Sequence, residues 1–196
     1  MTCAAQAAEI LSRIATDGDT LLDAGCGGGY YYHSFVNRGL RLEYYGLDYT
    51  PEMIDLARTE MCCRTGLPAD RFVLGAIEDL DGPFDHVVCF NVLTNNPHYA
   101  LPLERLLKCA RKTLVLRESL GEELVVQYTP DRYLDEGKRH MRVYHNTYPL
   151  SEVVSLMKEH GFSVSREVDR RTGDDVELVV DIPHYWRILV AQRLST

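Results

Sequence analysis

Two carboxylates and a cluster of glycines carry the residue types best suited to gripping a small charged molecule. Asp23, Gly25, Gly27 and Gly29 fall in the stretch DAGCGGG, and Asp48 closes the run LEYYGLD, 23 positions beyond Gly25 (48 − 25). Glycines at 25 and 27 let the backbone approach a ligand closely. A helix opening directly after them turns its unpaired N–H groups toward the same place. A dinucleotide-binding turn wants a third glycine at position 30, where this chain has Tyr30. The Asp23 carboxylate, two residues before the first glycine, suits a cationic ligand better than a pyrophosphate. Asp48 offers two acceptor oxygens, enough for both hydroxyls of a ribose.

Other reactive side chains give weaker signals. None of the seven histidines pairs with another at the helical i, i+4 spacing of a metal site, so no metal is expected. His140 and His145 stand five apart beside Tyr144 and Tyr148, and His145 is the candidate general base. The six cysteines form no C-x-x-C pair, and they read as reduced thiols of a cytoplasmic protein.

These residues need a scaffold, and the chain alternates strand and helix patterns to build one. Apolar residues at Ala7, Ile10, Leu11 and Ile14 predict an amphipathic opening helix. TLLDAG, LEYYGLD, RFVLGA, FDHVVCF and KTLVLRE then read as strands. The helices between them stop at Gly39 and near Gly66, and Thr50-Pro51 supplies an N-cap and an N1 proline. Such alternation calls for a doubly wound, mostly parallel α/β sheet. The tyrosine-rich stretch 119–149 breaks the rhythm and is predicted to be a lid or substrate insertion within a single domain. Ser151 is predicted to cap a following helix, with FSVSREV and YWRILVAQR as the last strands and VELVVDI as an additional one.

Acids outnumber bases 29 to 21, giving a net charge of −8. That balance disfavours sustained contact with nucleic acid, which depends on Lys and Arg, and with anionic lipid. No apolar run reaches the ~20 residues of a membrane span. The N-terminus, with Glu9 and Arg13 inside its periodic stretch, does not read as a signal peptide.

In order along the chain, LLDAGCGGGYY, YYGLDYTPEMIDLAR, VLGAIEDL and FDHVVCFNVL resemble the cofactor motifs of class I, seven-strand, S-adenosylmethionine-dependent methyltransferases. SEVVSLMKEHGF is similar to the family's closing pattern. The resemblance implies a Rossmann-like sheet of seven strands with the last antiparallel. Asp23 and the Gly25–Gly29 backbone would hold the methionine end of S-adenosylmethionine, and Asp48 the ribose. Tyr49 and Met53 would lie against the adenine, with backbone at Ile77 on the ring edge and Glu78 nearby. Asn91 would sit close to the sulfonium. Many relatives carry an acid where this chain has Ala76.

Asn95-Asn96-Pro97-His98-Tyr99 superficially resembles the signature of enzymes that methylate amino groups of bases. It falls four or more residues late, and a simple turn is expected there. The leading expectation is a small-molecule methyltransferase, with Tyr30 and Tyr144 as substrate contacts and homodimer formation left open. A non-catalytic cofactor-binding subunit is the alternative. A nicotinamide-dependent oxidoreductase is a third reading, which Tyr30 disfavours.

Overall fold

The computed structural model describes residues 2–130 and 141–194. Helix α1 (Cys3–Ile14) starts where Thr2 Oγ1 accepts the Ala5 N–H at 3.2 Å, and it buries Ile10 and Leu11. Strand β1 (Thr20–Ala24) leads through the glycine turn into α2 (Tyr30–Asn37), then β2 (Glu43–Asp48). Pro51 opens α3 (Pro51–Leu56), which passes through a π-helical stretch, Ala57–Met61, into α4 (Cys62–Thr65) and ends on Gly66 at φ 75°. β3 (Phe72–Leu74), β4 (Phe84–Phe90), α5 (Ala100–Cys109) and β5 (Ala110–Gly121) follow.

The remaining strands are β6 (Tyr128–Pro130), β7 (Arg142–Tyr144), β8 (Tyr148–Pro149), β9 (Phe162–Glu167), β10 (Glu177–Val179), β11 (Ile182–His184) and β12 (Trp186–Arg193). Helix α6 (Leu150–Glu159) lies between β8 and β9, and its N-cap is Pro149 instead of the expected Ser151. The main sheet runs β3-β2-β1-β4-β5-β12-β9, with β12 antiparallel to both neighbours. The expected seven strands are therefore present, the last one reversed.

Side chains alternate between two buried faces, as a sheet covered on both sides requires. Leu22, Val87, Cys89, Leu114 and Leu116 pack with α5 and α6, while Leu21, Val88, Phe90 and Val115 pack with α1 and the α3–α4 helix. Pairing of Ala24 with both Leu47 and Cys89 brings the carboxyl ends of β1, β2 and β4 to one level. The winding reverses between β1 and β4, the place where an open α/β sheet forms its ligand crevice.

The rhythm breaks later than the sequence suggests. β5 continues through Gly121, and β8 pairs with Leu120 and Gly121, so the inserted stretch is confined to 122–147. Within it, β6 and β7 form an antiparallel ribbon. The VELVVDI run is a separate hairpin, β10–β11, turned at Val180 (φ 52°) and Asp181 (φ 65°). Successive positive φ values match the right-handed twist of a tight hairpin. Among the described residues no helix is long and apolar enough to cross a membrane.

Candidate active site

The glycine turn is shaped by what surrounds it. Gly25 (φ +81°) has no room for a side chain, because a Cβ there would lie 2.1 Å from Val92 Cγ2. The N–H groups of Gly25 and Cys26 both donate to Leu47 O, at 2.7 and 3.0 Å, tying the turn to β2. Gly27 (φ +52°) has open space where a Cβ would be. Its N–H donates to Asp48 Oδ2 at 2.9 Å, while Asp48 Oδ1 accepts the Thr50 N–H at 2.9 Å. A carboxylate has about four lone-pair sites, so each Asp48 oxygen retains acceptor capacity toward the cleft.

That cleft lies over the carboxyl ends of β1, β2 and β4. Its inner part is walled by Gly25, Leu47, Asp48, Tyr49, Gly75, Ala76, Ile77, Glu78, Val92 and Asn96. Its outer part shares Gly25, Asp48, Tyr49, Val92 and Asn96, and adds Gly27, Met53, Asn91 and the ribbon residues Tyr128, Arg142, Val143 and Tyr144. The structure thus brings Gly25, Gly27, Asp48, Tyr49, Met53, Ile77, Glu78, Asn91 and Tyr144 to one opening. Asp48, the exposed Tyr49 and Met53, and Ile77 all border it.

Four candidates lie elsewhere. Asp23 is buried beneath the turn, where its Oδ2 accepts the Tyr44 O–H at 2.7 Å. Burial pushes its carboxyl up to about 7; the Tyr44 hydrogen bond opposes this and the Asp48 charge adds to it. Gly29 (φ +80°) is needed for packing, since a Cβ there would meet Phe72 at 2.9 Å. Tyr30 is 57% exposed and is not among the cleft's walls, where a substrate contact was expected. His145 is buried edge-on against His184, itself stacked on Trp186, and does not line the cleft. Its sequence partner His140 lies outside the described residues.

Several residues that build the site were not singled out in the sequence. Glu118 is fully buried, and its carboxylate accepts the N–H groups of Val92 (2.8 Å), Leu93 (3.0 Å) and Thr94 (2.9 Å). It thereby holds the turn that presses Val92 onto Gly25. Burial raises the Glu118 carboxyl above its ordinary range despite those donors. Arg117, equally buried, pairs with Asp169 at 2.6 Å and donates to Asn91 Oδ1. Asn146 Nδ2 donates to Asn96 O at 2.7 Å and Tyr148 Oη to the same oxygen at 2.6 Å. The Asn95–Asn96 stretch is a plain turn, with Asn95 N–H on Val92 O and Asn96 N–H on Leu93 O. A glutamate directly after an arginine at the carboxyl end of a strand was the available hint.

Residues 22–115 match the family model described as a methyltransferase domain. A ubiquinone biosynthesis O-methyltransferase from Xylella fastidiosa is 33% identical over 92 residues, covering 45% of this chain and 36% of that protein. A malonyl-acyl-carrier-protein O-methyltransferase from Serratia marcescens is 31% identical over 142 residues, 69% of this chain and 51% of that protein. The chain therefore spans about a third to a half of the length of these curated relatives. Among solved structures, magnesium protoporphyrin IX methyltransferase from Synechocystis with bound SAH has the same fold. Its TM-score is 0.66 at 20% identity, covering 97% of this chain and 82% of that one. Sheet order, cleft position and these matches together define the class of protein. Residues 22–115 carry the methyltransferase-domain pattern, and the fold is that of a solved methyltransferase with bound S-adenosylmethionine, so the chain is similar to the class I S-adenosylmethionine-dependent methyltransferases.

Proposed function

We propose that the protein transfers a methyl group from S-adenosylmethionine to a small-molecule acceptor. The carrying observation is Asp48. Its carboxylate is fixed by Gly27 and Thr50 in a cleft walled by Gly25 and Val92 at the switch point of the sheet. The cleft fits the methyl donor. Asp48 would take the ribose hydroxyls, Tyr49 and Met53 the faces of the adenine, and the Gly25–Gly27 backbone the amino-acid end. Ala76 leaves the adenine edge to Ile77 backbone and Glu78. Asp23 acts from below, through the Tyr44 bond that braces the turn.

The donor supplies an activated methyl group on a sulfonium, so the chain needs chiefly to orient the partners and exclude water. Positioning of this kind can be worth ~7–11 kcal/mol. Asn91, Asn95 and the β6–β7 ribbon form the wall where an acceptor would stand. Six unpaired thiols fit a reducing, cytoplasmic compartment, and we read the chain as one domain. Incubation with methyl-labelled S-adenosylmethionine and a panel of oxygen, nitrogen and sulfur acceptors tests the reading. Acceptor-dependent formation of S-adenosylhomocysteine is expected, and none across the panel would contradict it.

A further inference from the structure

We propose that the acceptor is a planar molecule bearing a carboxylate, held flat against the β6–β7 ribbon with its carboxylate on Arg142. The proposal rests on the methyl-transfer reading above. In the ribbon Tyr128 stands directly opposite Tyr144, and Arg142 opposite Pro130. Because strand side chains alternate, Tyr128, Tyr144 and Arg142 all project from one face. The two tyrosine rings stack at 4.4 Å with a 28° interplanar angle, and the Arg142 guanidinium lies 5.0 Å from the Tyr128 ring centre. Arg142 also donates to Tyr128 O, which fixes its direction. All three residues line the outer cleft, which Asp48 also borders.

The charges around this cleft are unequal. Asp48 and Glu78 lie on the side assigned to the methyl donor, and Arg142 is the one cation among the described residues that line it. Among the described residues one of the five guanidinium N–H donors is spent, on Tyr128 O. A planar guanidinium fork matches a carboxylate with two parallel hydrogen bonds, and the Tyr144 face turned away from Tyr128 favours a flat ligand. The described lining contains no histidine, lysine or cysteine to take a proton. A carboxylate arrives already ionised at neutral pH. Its oxygen bonds to the methyl carbon as the carbon–sulfur bond breaks onto sulfur, giving a methyl ester and a thioether with no proton released.

The test is an equilibrium titration of the S-adenosylhomocysteine-loaded protein with cinnamate, 4-hydroxybenzoate and their carboxamides. At least tenfold tighter binding of one carboxylate over its amide is expected. Arg142→Ala should weaken that binding tenfold or more while leaving affinity for S-adenosylhomocysteine unchanged, and Arg142→Lys should restore part of it. With S-adenosylmethionine, the product should be an alkali-labile ester that returns methanol. Equal binding of acid and amide, no binding of either, or an Arg142→Ala protein that behaves like the parent would overturn the proposal. Failure of the parent protein to bind S-adenosylhomocysteine would instead overturn the methyl-transfer reading, and the proposal with it.

Discussion

The Arg117 guanidinium, buried in the centre of the sheet, donates to the side-chain oxygen of Asn91 at the mouth of the cleft. Asn91 returns a second tie, its N–H donating to Arg117 O at 2.8 Å, and it adopts φ 61°, a left-handed value. The guanidinium also bonds Asp169 and lies 4.4 Å from the Trp186 ring centre. One cation thus joins the cleft to the neighbouring strand β12 and to the 169–174 turn.

This arrangement separates two substitutions at position 91. Asn91→Gly loses the Arg117 bond but tolerates the backbone, whereas Asn91→Ala loses the bond and bears the left-handed strain. The alanine protein should be less stable than the glycine protein by ~1–2 kcal/mol. Chemical denaturation of the pair measures the gap, and equal stabilities would argue against the strained backbone.

Removing the cation itself should be severe. Arg117→Met leaves the Asp169 carboxylate buried without its ion partner, and an unfolding penalty of ~3–5 kcal/mol is expected. Replacing Asp169 as well, by Leu, should recover part of the loss, since the stranded charge is then gone. A double variant no more stable than the single one would contradict this.

The glycine turn offers a contrast within five residues. Gly25→Ala places a Cβ on Val92 as well as in a left-handed conformation, so both stability and ligand binding should fall sharply. Gly27→Ala meets open space and bears the backbone cost alone, ~1–2 kcal/mol. Thermal melts and titrations of both proteins check the order, and a milder effect at Gly25 than at Gly27 would refute it.

The alternation of strands and helices, the glycine stops and the switch-point acid were legible in the sequence because each depends on local pattern. Gly39 and Gly66 end helices at positive φ, and Asp48 ends its strand, as their neighbours dictate. What escaped was non-local. Arg117 and Glu118 read as the polar end of a strand and Ser119 as the start of the insertion, yet all three are buried, because their partners come from 24 to 66 residues away. His145 looked like a base on residue type alone, but the chain turns it inward against His184. Tyr128 and Tyr144 belong to one surface only once the ribbon sets their register.

Asp23 gives the fold a pH signature. Burial, opposed by the Tyr44 hydrogen bond and reinforced by the Asp48 charge, raises its carboxyl to about 7, so the folded chain holds a proton that the unfolded chain releases near pH ~4. The associated stability is fully present below the unfolded value and is lost as pH rises through about 7. Stability should therefore decline across that window by up to ~1.4 kcal/mol per pH unit, and Asp23→Asn should flatten the slope. Denaturation midpoints from pH 4 to 8 provide the check, and an unchanged slope in the variant would contradict the assignment.

The central claim is that Asp48 grips the methyl donor, and calorimetric titration with S-adenosylmethionine tests it most directly. The parent protein should bind with one-to-one stoichiometry, and Asp48→Ala should bind at least tenfold more weakly while keeping its fold by circular dichroism. A parent protein that does not bind, or an Asp48→Ala protein indistinguishable from it, would contradict the account.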